Sequence, residues 1–109
     1  LQQYVYQYAD LIFSWDEEPK EHYLNKVKAL AKNYKDNLDR IIDFILPELR
    51  GMYGDVSKED VKNNLGQAII DYNQGTVTYC DQSFDDYHIF SFEFLNNTFE
   101  KLEHFSVDG

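Results

Sequence analysis

The sequence predicts an α+β fold: helices packed on one face of an antiparallel sheet, with a β-meander at the C-terminus. Three observations carry this. Over residues 88–95, His88, Phe90, Phe92 and Phe94 alternate with Ile89, Ser91, Glu93 and Leu95. That is the period of two a strand imposes, because successive side chains point to opposite faces. Over residues 23–49, apolar side chains recur every three or four positions, the spacing of an amphipathic helix. The strand-like stretches also lie towards the two ends of the chain and the helical ones in its middle. At 109 residues the chain is read as one domain, long enough to bury a core without metal or disulfide.

In chain order, Tyr4, Tyr6 and Tyr8 alternate with Val5, Gln7 and Ala9, and the pattern continues through Leu11, Phe13 and Trp15. This predicts one or two strands with a bulge near Ala9–Asp10, although Tyr4, Tyr8 and Leu11 would also share a helical face. Asp16-Glu17-Glu18-Pro19 is a helix-start signal: acids favour the N-terminal dipole, and Pro there loses no bond. Tyr23, Leu24, Val27, Leu30, Ala31 and Tyr34 form the first helical stripe, with Lys26, Lys28, Lys32 and Lys35 on its wet side. Asn33–Asn37 is poor in helix formers, and Asp36 is a candidate N-cap for a second helix. Its stripe is Leu38, Ile41, Ile42, Ile45, Leu46 and Leu49; one bent helix is the alternative. Pro47 is expected to kink or end it at about Leu46, with Gly51 and Gly54 finishing it. Ser57-Lys58-Glu59-Asp60 reads as a capping box for a short helix closed by Gly66.

Ala68–Tyr72 reads as a strand and Asn73-Gln74-Gly75 as a turn. In Thr76–Asp81, Val77 and Tyr79 oppose Thr76, Thr78 and Cys80. Gln82–Asp86 is a polar loop. Asn96-Asn97 is the expected hairpin turn after the Phe-rich strand, because Asn tolerates left-handed backbone. In the last strand Glu103, Phe105 and Val107 alternate with Leu102, His104 and Ser106.

Net charge is −10, which argues against direct nucleic-acid binding, since phosphates are neutralised by Lys and Arg. The charge is segregated. Residues 76–109 carry seven acids against one base, whereas residues 20–50 carry seven bases against five acids. Acid thus falls on strands and base on helices, a layout that speeds encounter with a basic partner; the plainer reading is a solvated surface. The single Cys80 rules out an intrachain disulfide and fits a reducing compartment. No apolar run is long enough to span a bilayer, and no basic segment precedes an apolar one. The expectation is a soluble, cytoplasmic protein with no membrane association, monomeric or homodimeric.

Motifs for common chemistry are absent. There is no Gly-rich phosphate loop, and one Cys with three scattered His lacks zinc spacing, so no metal and no cofactor are expected. Cys80 with His88 or His104 could make a nucleophile and base, but a lone Cys on a strand is far more often a small hydrophobe. Asp81, Asp85, Asp86 and His88 surround one turn. Carboxylates so placed could hold a hard cation or share a proton; Asp-rich turns also form simply because Asp bonds its own backbone. Phe90, Phe92 and Phe94 are core. Tyrosine beside acid is characteristic of protein-binding surfaces, which singles out Tyr79 and Tyr87, with Tyr4 and Tyr6. Asn96-Asn97-Thr98 matches a glycosylation acceptor, meaningful only on secretion.

The order of parts resembles a family. Helices ending FILPELRGMYG are followed by VSKEDVKNNLG, a strand, the acidic turn DDYHIF and a last strand ending SVDG. This is similar to small bacterial domains of unknown function that end in an acidic turn, a His and a Gly-closed hairpin. They occur in polymorphic-toxin neighbourhoods and are suspected immunity proteins. The Trp-Gly-His turn of some relatives is here Asp86-Tyr87-His88, without Trp or Gly. The resemblance implies the fold and a bacterial cytoplasmic protein. The acid on the strands, the tyrosines and the missing catalytic motifs point to a non-enzymatic protein-binding module, an immunity-type inhibitor of a basic toxin. Its partner-binding residues are expected to be Tyr79, Asp81, Asp85, Asp86, Tyr87, His88 and Glu93. An acidic nucleic-acid mimic and a small hydrolase or metal-binding enzyme using the Asp81–His88 turn are the alternatives.

Overall fold

A computed structural model of the chain describes residues 4–15, 23–71, 74–85, 88–96 and 98–108. The period-two stretches form strands and the three-to-four-spaced stretches form helices. They are β1 (Tyr4–Tyr8), β2 (Leu11–Trp15), α1 (Tyr23–Asp36), α2 (Leu38–Tyr53), α3 (Lys58–Asn64), β3 (Ala68–Asp71), β4 (Thr76–Tyr79), β5 (Ile89–Phe94) and β6 (Leu102–Asp108). The strands lie in sequence order in one six-stranded sheet. The expected α+β architecture is present, with one refinement. β2 and β3 are parallel, while every other pairing is antiparallel. Parallel neighbours need a crossover, and α1–α3 supply it.

The core lies between that crossover and one face of the sheet. Phe13, Ile70, Val77 and Phe92 stand side by side across β2–β5, and none is more than 1% exposed. Ile41, Ile45 and Leu49 of α2 are fully buried, and Phe44 meets Phe92 edge-on at 6.1 Å between ring centroids. Burying a side chain of this size contributes about 1.5–3 kcal/mol. The opposite face carries Ile12, Ser14, Ile69, Asp71, Thr76, Thr78, Ser91 and Glu93; Ser14 is 7% exposed and the others are partly exposed.

Several local expectations are corrected. Ala9 and Asp10 form a tight two-residue turn rather than a bulge, with φ of 51° and 65°. The last α1 residue is Asp36, which pairs with Lys32; the residue between the helices is Asn37, whose side chain donates to the Asn33 carbonyl. Pro47 does not end α2, which runs on to Tyr53. The bond it forfeits is to the Asp43 carbonyl, on the exposed side of the helix, while Ile45, Leu46 and Leu49 stay buried on the other. Gly51 is inside α2 and Gly54, at φ 87°, follows its end. The Ser57/Asp60 capping box forms as expected.

The expected Asn96-Asn97 turn includes Asn97, which lies outside the described residues. Among the described residues between β5 and β6, Phe99 is left-handed, at φ 59°, and fully buried. Its ring packs on Phe94 at 4.7 Å and Tyr34 at 5.7 Å, so burial outweighs the backbone preference. A register shift between Ser91 and Glu93, with His104 at φ 56°, resets the phase of β6. Leu102 therefore lies opposite Phe94 on the core side and Glu103 opposite Glu93 on the open side. The Asp16-Glu17-Glu18-Pro19 helix start, Tyr72, Asn73 and Asn97 lie outside the described residues. Among the described residues no helix is long and apolar enough to cross a membrane.

The β1–β2 turn yields a test. Ala is disfavoured at positive φ and Asp tolerates it less readily than Gly, whereas Asn-Gly is the preferred pair for such a turn. Ala9→Asn combined with Asp10→Gly should stabilise the protein by about 1 kcal/mol, read as a higher urea midpoint at unchanged slope.

Candidate functional site

The turn between β4 and β5 is organised by Gln82, which is 6% exposed. A buried amide has to find partners, and this one finds five. Its Oε1 accepts from the Phe84 and Asp85 N–H groups at 2.8 and 3.2 Å. Its Nε2 donates to the Asp85 carboxylate at 2.8 Å and to the Asp85 and His88 carbonyls at 3.2 and 2.8 Å. Asp85 is thereby turned inward. Its Oδ1 also accepts the His88 N–H at 2.9 Å, and its Oδ2 lies 2.5 Å from His88 Nδ1 and accepts the Tyr53 hydroxyl. Tyr53, at the end of α2, stacks on Phe84 with ring centroids 5.1 Å apart. Partial burial works against the Asp85 charge. The bonds from Tyr53, from the His88 N–H and ring, and from Gln82 outweigh it and hold the carboxyl well below the usual range.

The same turn is tied to α3. The Ser83 N–H donates to the Asn64 carbonyl at 2.8 Å and its hydroxyl to Asn64 Oδ1 at 2.6 Å. Gly66, at φ 77°, lets the chain pass close by: a Cβ there would stand 2.7 Å from the Asp81 carbonyl oxygen.

The expected contact residues do not form one surface. Tyr79 is fully buried, and its hydroxyl lies 2.5 Å from that of Tyr34; it is a core residue, because its position on β4 alternates inward with Val77. Burial pushes the Tyr34 hydroxyl up to about 12, against the opposing bond from Tyr79, and pushes Tyr79 well above its ordinary value. Asp85 and His88 are joined to each other and largely enclosed, with side chains 16% and 23% exposed. Asp81 is exposed. Asp86 and Tyr87 lie outside the described residues, as does the Tyr4 side chain, while Tyr6 is 40% exposed. Glu93 sits on the open face at the far end of β5, five residues from His88, or about 17 Å of extended strand.

Glu93 instead belongs to a row that strand-by-strand reading misses. Asp71 pairs with Thr76, Thr76 with Glu93, and Glu93 with Glu103. Three carboxylates thus cross four strands on the open face, with strands spaced about 4.8 Å apart. His104 Nε2 approaches Glu103 at 3.3 Å and Glu93 at 3.9 Å. The available signal was the acid at non-core positions of successive strands, but only the register aligns them.

A carboxylate on Nδ1 is how a histidine base is oriented. Cys80, the nearest nucleophile in sequence, makes no hydrogen bond to His88 or to any other partner among the described residues. Nor, among those residues, do three His, Cys, Asp or Glu side chains converge as a metal site would require. The described bonds of the turn serve to latch it to α2. The class these features define is an α+β protein with one helix-covered and one open sheet face. No family model, curated protein or solved structure matches the chain.

Two outcomes follow. Because the folded Asp85 carboxyl is depressed, its stabilisation is present above about pH 4, the unfolded value, and is lost as pH falls below it. Asp85→Asn should be less stable at neutral pH and show a shallower acid-side loss in urea titrations. Tyr79→Phe leaves the buried Tyr34 hydroxyl without that partner and should cost about 1–3 kcal/mol. Tyr34→Phe with Tyr79→Phe should cost less than the two single changes summed, and should flatten the loss of stability as pH rises above about 10.

Proposed function

We propose that this protein is a non-enzymatic protein-binding module that receives a basic protein on the open face of its sheet. The observation that carries the reading is the row Asp71, Thr76, Glu93 and Glu103 on the sheet face opposite the one that holds Phe13, Ile70, Val77 and Phe92. Ile89, at 41% exposure, and the Ser91–Ser106 pair lie on the same face and offer apolar and hydrogen-bonding contacts between the acids. The net charge of −10 steers a basic partner towards this face, and the desolvated contacts hold it. The resemblance to immunity-type domains narrows the partner to a basic toxin, with inhibition by occlusion of its cleft. Relative to the sequence expectation, Glu93 is kept as a contact, Asp81 lies beside Gly66 at the other end of β4, and Tyr79 and Asp85 are spent on the protein's own packing.

A second reading, a nucleic-acid mimic, draws on the same row, since carboxylates aligned across strands can stand in for successive phosphates. It requires duplex DNA to compete for the captured partner.

The test is a pull-down from source-cell lysate at low and high salt. Wild type is compared with Asp71→Lys/Glu93→Lys/Glu103→Lys and with Glu48→Lys, a control on exposed α2 surface. A basic protein held by wild type and by the control, and lost at high salt and from the triple variant, is expected. Retention of the same partner by the triple variant, with unchanged salt dependence, would sink the reading.

A further inference from the structure

At the end of the sheet away from the acidic row, a cleft of about 360 Å³ opens where the β1–β2 turn, the end of α1, the start of α2, the end of α3 and the start of β3 meet. Its apolar walls include Leu11, Leu38, Leu65 and Ala68. Three charged residues line it: Lys35 from α1, Lys62 from α3 and Asp10 from the turn. Both lysines are exposed, and like Lys28 and Lys101 they are unpaired among the described residues. Lys32 and Lys58 are each neutralised by a carboxylate, Asp36 and Asp43, at 2.7 and 3.0 Å. Lys35 and Lys62 have no carboxylate within ion-pairing distance among the described residues. In a chain of net charge −10, two uncompensated ammonium groups brought to one apolar-walled opening by different helices make a local site of opposite sign.

We infer that this cleft binds a small organic monoanion, a carboxylate carried on an apolar body. The volume lies at the small end of the range for ligand sites, about 300–1,000 Å³. The walls take the apolar body, and Lys35 and Lys62 take the carboxylate. Asp10 in the same lining opposes a second negative charge on the ligand, which selects a monocarboxylate over a phosphate or a dicarboxylate. The cleft and the open sheet face share none of these residues, so this inference stands apart from the protein-binding reading.

Hexanoate, hexanol, acetate and inorganic phosphate are titrated separately into the ¹⁵N-labelled full chain while amide shifts are followed. Hexanoate should give saturable shifts at the amides of Ala9–Leu11, Lys35 and Lys62–Ala68, at least tenfold tighter than hexanol, acetate or phosphate. Lys35→Gln/Lys62→Gln should weaken hexanoate at least tenfold while leaving the remaining amide spectrum and the urea midpoint in place. Either single variant serves in its stead if the double variant fails to fold. Absence of saturable shifts at the cleft, equal affinity for hexanol or phosphate, or full hexanoate affinity in the lysine variants would overturn the proposal.

Discussion

The structure depends on covering one apolar face of a sheet. Phe13, Ile70, Val77 and Phe92 form a continuous row that water would penalise, and an isolated sheet of this kind has no stable existence until something apolar lies on it. A single excursion of the chain between β2 and β3 provides the cover. Because that excursion carries the chain back to the end of the sheet where β2 began, β2 and β3 are parallel. All three helices are used on one side, and the other face is left partly exposed. Both candidate binding surfaces are consequences of this arrangement: the open face is what the helices do not reach, and the cleft is the seam where their ends meet the strand ends.

Negative charge in this chain has two physical fates. Asp85 is internal to the fold, its carboxylate consumed by Tyr53, Gln82 and His88. It orders the β4–β5 turn and fastens it to α2, and its charge is answered by hydrogen bonds. Asp71, Glu93 and Glu103 are held on the open face by register, with Glu93 and Glu103 directly opposite each other. Like charges in that position are destabilising. A surface that tolerates such repulsion is one on which a positive partner gains most, because binding relieves it. That contrast, between a carboxylate enclosed by the fold and carboxylates gathered on one sheet face with only His104 and the Gln74 N–H beside them among the described residues, moves the contact surface away from the acidic turn.

The sheet edges differ in the same sense. β6 presents Glu103 and Asp108 and is broken by the shift near His104, features that discourage edge pairing. β1, with the sequence YVYQY, carries no charge, and its Val5 is 65% exposed. The positive charge is likewise unevenly spent: ion pairs take Lys32 and Lys58 on the outer helix surfaces, where they contribute little, and Lys35 and Lys62 remain for the cleft.

The sequence by itself determined the elements and their inward faces. Alternation in β4 and β5 and the stripes of α1 and α2 name the core residues, because periodicity is a direct record of which side of an element meets water. The Ser57–Asp60 cap was legible for a similar reason, since both of its bonds close within four residues. Tertiary structure alone decided what depends on a second element. Burial of Phe99 holds a phenylalanine in the left-handed region, which no local preference favours, and packing carried α2 through Pro47. The alternation of β4 already put Tyr79 on the side of Val77, and the tertiary structure supplied the Tyr34 hydroxyl that partners its own. Strand register joined Asp71, Glu93 and Glu103, residues far apart in sequence, into one row. These are long-range contacts, and a sequence read locally has no access to a partner that lies tens of residues away.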